Sequence, residues 1–260
     1  MYVRPKKYLG QHFLKDRNIA TKIVGSLTFH MEYDSILEIG PGTGILSEIL
    51  FQKYPEKTML IDIDSESIQY LREKYPDKTS RIIQGDFLRM ELENVSGTKL
   101  GIIGNFPYNI SSQIFFRVFE NRERICELVG MVQKEVALRI ASVPGNKIYG
   151  ILSVLLGAYY DIEYLFSVNP GVFHPVPKVK SAVIRLRRNT RKKLPLEDQV
   201  FVKIVKQGFQ NRRKTLRNAL KSLNLPRQIV DMQVLDRRAE QLTVEEFIEL
   251  SSKIDALWKK

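Results

Sequence analysis

Three observations predict an α/β protein with a Rossmann-like, mostly parallel sheet, followed by a small all-helical domain. Short apolar runs alternate with amphipathic stretches from residue 35 to residue 186, the rhythm of βαβ units whose sheet is covered on both faces. A glycine-rich turn stands directly after the first of those runs. Beyond Arg187 the apolar spacing becomes purely helical and the charge strongly positive.

The predicted strands are residues 35–39, 58–63, 80–84, 100–104, 128–133, 160–168 and 181–186. Amphipathic stretches such as 44–53 and 65–75 separate the earlier ones. The last two strands are joined by a short Pro-rich loop, which predicts an antiparallel addition at one edge. Residues 187–195 are polar, charged and ended by Pro195, so the boundary is placed there, giving domains 1–187 and 188–260. After it, Phe201, Ile204, Val205, Phe209, Leu216 and Leu220 follow helical spacing, with Lys203, Lys206, Arg213, Lys214, Arg217 and Lys221 on the remaining faces. Thr243 and Glu246 are spaced as a capping box.

Composition narrows the function classes. The 260 residues are 43 % hydrophobic and 27 % charged, which excludes a disordered or fibrous chain. Cys126 is the only cysteine, which excludes a disulfide framework and any multi-cysteine metal site. His12, His30 and His174 lack metal-ligand spacing, so no metal is expected. No apolar run approaches membrane-spanning length and the first residues lack a signal-peptide core, so the expected location is the cytoplasm, away from any membrane. The net charge of +12 is unevenly placed: residues 1–170 hold 20 basic and 20 acidic side chains, residues 171–260 hold 21 and 9. A neutral body joined to a basic helical tail suits a polyanion, nucleic acid above all.

The turn Glu38-Ile39-Gly40-Pro41-Gly42-Thr43-Gly44 lets the backbone approach a ligand closely. Asp62, with Ile63 beside it, ends the next strand about 20 residues on, where a carboxylate accepts from ribose hydroxyls. The GxGxG spacing and the adjacent Glu38 disfavour a pyrophosphate and suit S-adenosylmethionine, which carries an ammonium, a sulfonium and no phosphate. Asp86, followed by Phe87, offers an acceptor for the adenine amino group, although a turn aspartate would look the same. Asn105-Phe106-Pro107-Tyr108 ends the fourth strand. Its proline stiffens a corner that presents the Asn105 amide oxygen and the Phe106 carbonyl to an exocyclic amine, with Tyr108 as an aromatic face for the base.

With these motifs in this order, the chain resembles the rRNA adenine N6-dimethyltransferases along nearly its whole length. The resemblance implies the Rossmann-like fold of S-adenosylmethionine-dependent methyltransferases, with catalysis in 1–187 and RNA binding in 188–260. Lys7-Tyr8-Leu9-Gly10-Gln11-His12-Phe13-Leu14 is similar to the family's N-terminal signature, which implies that Gln11, His12, Phe13 and Leu14 help close over the cofactor. Asp62 stands where many members have glutamate, and Phe106 replaces a usual leucine or isoleucine. Residues 133–137 resemble a segment whose charges are structural. Residues 173–181, FHPVPKVKS, are similar to the family's FxPxPKV loop, implying that Phe173 packs the target adenine opposite Tyr108. Residues 212–218 and 238–242 look more like the small-subunit enzyme than the resistance methylases, while the basic charge of the tail places the expected RNA contacts at Arg212, Arg213, Lys214, Arg217 and Lys221.

The implied reaction is dimethylation of N6 on two adjacent adenosines in the 3′-terminal hairpin loop of small-subunit rRNA, within an immature small subunit, by a monomer. The adenine must swing out of its stack to reach the methyl group. Three alternatives remain at this point: a large-subunit enzyme of macrolide-resistance type, a DNA adenine methyltransferase, and a non-catalytic assembly or transcription factor on the same fold.

Overall fold

A computed structural model describes residues 3–259. Its strands are β1 (Phe13–Leu14), β2 (Ser35–Ile39), β3 (Thr58–Asp62), β4 (Ile82–Gln84), β5 (Leu100–Asn105), β6 (Ile125–Gln133), β7 (Tyr160–Val168), β8 (Phe173–His174) and β9 (Ser181–Arg188). The helices are α1 (Arg17–Val24), α2 (Ile45–Lys53), α3 (Ser65–Lys74), α4 (Ser111–Glu120), α5 (Lys134–Ile140), α6 (Ile151–Gly157), α7 (Asp198–Gln210), α8 (Leu216–Ala219), α9 (Arg227–Val230) and α10 (Val244–Trp258). None of these is long and apolar enough to cross a membrane.

Seven strands form one sheet in the order β4-β3-β2-β5-β6-β9-β7. The first four pairings from β4 to β6 are parallel and β9 runs antiparallel to β6. Every residue of β2 and β3 is buried, as expected of central strands covered on both faces. The antiparallel strand is β9, set inside β7 rather than at the edge itself. All seven predicted strands are present, with ends shifted by up to three residues. The two-residue ribbon β1–β8, pairing Phe13 with His174 and Leu14 with Phe173, was not foreseen; two residues are too few to show a period.

The chain divides into two compact units, Met1–Ala137 with Asp161–Arg188, and Leu138–Tyr160 with Asn189–Lys260. The boundary expected after residue 187 falls one residue from the observed one, but the second unit also takes in Leu138–Tyr160. The reason is α6: Leu152, Ser153, Val154, Leu155 and Leu156 are all buried. A helix apolar on every side belongs in the middle of a bundle, not on the half-covered face of a sheet.

In the first unit, α1 and α2 pack Ala20, Ile23, Val24, Leu46, Ile49 and Leu50 into a core shared with β2, β5 and β6. Beside this core Glu127 is fully buried, and it accepts from the Thr28 amide (3.0 Å), the Thr28 hydroxyl (2.7 Å) and the Tyr33 hydroxyl (3.0 Å). Burial first, and then the neighbouring carboxylate, push the Tyr33 hydroxyl pKa far up, so the phenol remains a donor.

In the second unit, Phe201, Ile204, Val205 and Phe209 of α7 are buried as their spacing predicts. Phe209 stacks on Phe247 of α10 at 5.8 Å and meets Tyr149 edge-on at 6.1 Å. The helical spacing continues to Leu216 and Leu220, yet the helix itself breaks after Gln210 and restarts at α8. The capping box is formed: the Thr243 hydroxyl accepts from the Glu246 amide (3.1 Å), and the Glu246 carboxylate accepts from the Thr243 amide (2.8 Å).

Candidate active site

Three glycines after β2 have positive φ: Gly40 at 66°, Gly42 at 55° and Gly44 at 78°, the left-handed region that other residues avoid. Only the first two serve the cleft. A Cβ on Gly42 would stand 2.7 Å from the Phe13 ring, which folds over the turn, whereas one on Gly44 would strike Leu71 of α3 at 2.7 Å. Gly44 is therefore a helix-packing glycine.

Asp62 at the end of β3 is buried, and its two oxygens accept from the Gly42 amide (3.3 Å) and the Asp64 amide (2.9 Å). Burial raises its pKa to about 6, against those amide hydrogen bonds. Glu38 lies beneath the turn, fully buried. One oxygen accepts from the Ser47 hydroxyl of α2 (2.6 Å) and the other is unpartnered. Burial, opposed by Ser47 and helped by nearby Asp62, pushes Glu38 up to about 8. Asp86 borders the cleft while also accepting from the Leu88 amide (2.9 Å), so the ordinary turn function and the open position coexist.

The chemical corner is more tightly built. The Asn105 amide nitrogen donates to the His12 carbonyl at 2.7 Å. A carbonyl only accepts, so this contact fixes which end of the amide is nitrogen and leaves Oδ1 for a ligand. The same His12 donates Nδ1–H to the Pro175 carbonyl (2.7 Å), and its ring lies 5.2 Å from that of Tyr108. The Tyr108 hydroxyl pairs with Ser181 Oγ at 2.6 Å, and burial raises its pKa. Phe106 turns its ring into the sheet between two glycines that face each other across β5 and β6. A Cβ on Gly104 would come within 2.8 Å of that ring and one on Gly130 within 2.4 Å. The cradle explains how a phenylalanine is accommodated here.

These loops enclose an open cleft of about 750 Å³, counted to its mouth. Of the residues expected at the cofactor and catalytic sites, Gln11, His12, Phe13, Gly40, Gly42, Asp62, Ile63, Asp86, Asn105, Phe106, Pro107 and Tyr108 line it. Leu14, Glu38, Gly44, Phe87 and Phe173 do not. Leu14 and Phe173 are core residues paired across the β1–β8 ribbon, and Phe87 is buried. The expected sandwich of Tyr108 and Phe173 is thus not formed: in a two-residue strand one side chain must face inward, and that one is Phe173, with His174 outward. Leu9 and Gly10 of the N-terminal signature segment also line the cleft, Gly10 at φ 66° with its would-be Cβ 2.5 Å from Asn109. Leu88, Asn109 and Ile110 line it too and carry no expectation from the sequence.

The basic candidates of the second unit divide in two. Arg212 donates to the Lys147 and Tyr149 carbonyls, both at 2.7 Å, and Arg217 pairs with Asp236 at 2.8 Å and bonds the Val230 carbonyl. These two hold the unit's own loops. Arg213, Lys214 and Lys221 are exposed.

Comparison with known proteins places the chain. A family model described as ribosomal RNA adenine dimethylase matches residues 3–256. The ribosomal RNA small subunit methyltransferase A of Cytophaga hutchinsonii is 54 % identical over 252 residues, covering 97 % of this chain and 98 % of that one. The protein of the same name from Flavobacterium johnsoniae is 52 % identical over 255 residues, covering 98 % and 97 %. Among solved structures, a dimethyladenosine transferase from Plasmodium falciparum aligns over 92 % of this chain and 96 % of its own with a TM-score of 0.76 at 24 % identity, a likeness of fold. The 23S rRNA methyltransferase ErmE aligns over 92 % and 98 % with a TM-score of 0.65 at 26 % identity.

Proposed function

The chain belongs to the ribosomal RNA adenine dimethylase family, and on that premise we propose that it dimethylates N6 of two adjacent adenosines in the 3′-terminal hairpin loop of small-subunit rRNA, with S-adenosylmethionine as methyl donor. The observation that carries the chemistry is the Asn105 amide, locked by the His12 carbonyl with its oxygen left to a ligand. Identity near one half with two small-subunit enzymes along the whole chain favours the small-subunit substrate over the large-subunit one.

The cleft fits the methyl donor. Two carboxylates, Asp62 and Asp86, line it and no Lys or Arg among the described residues does, which suits a cationic nucleoside and would leave a pyrophosphate unpaired. The Phe13 ring over Gly42 leaves no room for a side chain at that turn. Asp62 would accept from ribose hydroxyls, with its orientation fixed by the Gly42 and Asp64 amides. When bound, S-adenosylmethionine supplies a methyl carbon activated by a sulfonium.

The protein's own contribution is alignment. Asn105 Oδ1 and the Phe106 carbonyl accept from the two hydrogens of the N6 amine and turn its lone pair toward the methyl carbon. Held by these two acceptors through the transfer, the N6 amine would give up its surplus proton to water. A monomethylated amine still offers one hydrogen, so one acceptor is enough for the second transfer. Tyr108, anchored through Ser181, provides the face on which the flipped base stacks. The role expected of Phe173 falls to no second aromatic of the core. His12, whose ring borders the cleft beside Tyr108, is the neighbour available to the base.

The exposed Arg213, Lys214 and Lys221 would supply sequence-independent attraction to phosphate. The reading extends to a monomer acting in the cytoplasm on an immature small subunit. Mapping N6,N6-dimethyladenosine in small-subunit rRNA from cells with and without the gene tests it: loss of the two modified nucleotides is expected. Loss from large-subunit rRNA instead, or no change, would overturn it.

A further inference from the structure

Among the described residues, Tyr8 is the most exposed of the large hydrophobic side chains, at 75 %. Its ring has no aromatic, cationic or hydrogen-bonding partner among the described residues, yet the turn that carries it is pinned on both sides. The Tyr8 carbonyl accepts from the Asn109 side chain (3.4 Å), immediately after the catalytic corner. The amides of Leu9 and Gly10 close the turn on the carbonyls of Lys6 and Lys7 (3.1 and 3.0 Å). Lys6 donates its own amide to Gln11 Oε1 (2.8 Å) and pairs its ammonium with Asp64, which also accepts from the Gln11 side chain (3.1 Å). Leu9 and Gly10, the next two residues, line the cleft. The ring is therefore carried by the residue directly before the cleft lining, on a hydrogen-bonded turn, with exposed Arg4 and Lys7 close in sequence.

A rigid, solvated aromatic beside cationic side chains is what an unpaired nucleobase stacks on, because every base has an apolar face and a phosphate behind it. Fixing the platform in advance removes the ordering cost of binding. We propose that Tyr8 forms a second nucleobase subsite, taking the base of the nucleotide next to the adenosine held in the cleft. This inference rests on the proposed function, in which the target's neighbour is itself an adenosine. While one adenine occupies the corner, Tyr8 would hold its neighbour out of the loop's stack and define which residue enters.

The test measures affinity of the full chain for a synthetic RNA hairpin carrying two adjacent adenosines in its loop, and for the same hairpin with the neighbouring nucleotide abasic. Tyr8→Ala is expected to weaken binding of the intact hairpin about tenfold. Tyr8→Phe should stay within about twofold of wild type, and the Ala variant should lose nothing further on the abasic hairpin. Melting temperature and S-adenosylmethionine affinity of all three proteins should coincide. An intact-hairpin affinity unchanged in Tyr8→Ala, or an equal loss on the abasic hairpin, would overturn the subsite. Methyl incorporation into small subunits by wild type is measured alongside. If it proceeds while Tyr8→Ala shows no effect, the subsite alone is wrong; if it fails, the proposed function falls and the subsite with it.

Discussion

The corner at the end of β5 and the basic segment after α7 dispose of their hydrogen-bonding groups in opposite ways. In the first, Asn105, Phe106 and Tyr108 are each tied at a distant point: to the N-terminal segment, to the glycine cradle and to Ser181. What remains free is one amide oxygen, one carbonyl and one ring face. In the second, Arg212 and Arg217 are fastened to the unit's own carbonyls and to Asp236, and the residues left over are bare cations. The second unit carries 18 Lys/Arg against 9 Asp/Glu, the first 23 against 20. Under the proposed function, chemistry would rest on few groups held in fixed directions and affinity on charge that needs no direction. Mutations in the two regions should therefore fail differently.

The largest effect is expected at the corner. Asn105→Ala removes the oriented acceptor, and single-turnover methyl transfer should fall about 10²- to 10³-fold, the scale for losing one preorganised group at a reacting centre. RNA affinity should stay within about twofold. A parallel fall in RNA affinity would show that the corner and the exposed cations of the second unit share one task.

Asp62 comes next, and pH sharpens the contrast. Burial raises its pKa to about 6, so under the proposed role, in which the ionised carboxylate holds the ribose, S-adenosylmethionine should bind at full strength near pH 7.5 and lose up to about tenfold per pH unit below 6. The stability sign is opposite. A folded pKa above the unfolded one means the carboxylate costs stability at neutral pH, a cost that grows as pH rises from 3.8 to about 6 and is constant above. Asp62→Asn should flatten both dependences and weaken cofactor binding about 10- to 100-fold at pH 7.5, as titration calorimetry would read. Hairpin binding without cofactor should show neither change.

For the exposed cations of the second unit, replacing Arg213, Lys214 and Lys221 together by Gln should weaken RNA binding about tenfold at low salt. It should also make the slope of log affinity against log salt shallower by about two to three, since each phosphate contact contributes about 0.7–0.9. The rate at saturating RNA should hold. Arg212→Gln should behave otherwise, lowering the melting temperature because two carbonyls lose their donor. An unchanged salt slope in the triple variant would remove these residues from the interface.

The same division explains what was legible in the sequence. The sheet, the glycine turn, Asp62 and the Asn-Phe-Pro-Tyr corner could be read because period, turn chemistry and strand ends are local. The position of Leu138–Tyr160 in the second unit was not, because α6 differs from a buried strand or sheet-covering helix only in what it meets. Phe173 and Leu14 were assigned to the site by likeness of segment, yet the alternation of the β1–β8 ribbon turns both inward. Glu38 stands beside the turn in sequence, where a cofactor contact is expected, but its side chain lies under the loop, bonded to Ser47 and off the cleft. Likeness identified the segments that build the cleft; only packing decides which side chains reach it.

The smallest expected effect probes how the free ring is held. Ser181 is buried at the start of β9, and its hydroxyl is the hydrogen-bond partner of the Tyr108 phenol. Ser181→Ala leaves that phenol without its partner in a half-buried site, a loss of about 1 kcal/mol. If the bond only stabilises the fold, the melting temperature should drop and the rate constant should not move. If it aims the ring at the base, methyl transfer should slow by about two- to fivefold at saturating RNA, with cofactor affinity unchanged. Tyr108→Phe separates the two effects, since it removes the phenol and with it the unsatisfied group while keeping the stacking face. A rate restored toward wild type in the Tyr108→Phe, Ser181→Ala double variant would mean the hydroxyl matters only as a group needing a partner. A rate as low as the single Ser181→Ala variant would mean the bond sets the angle of the ring.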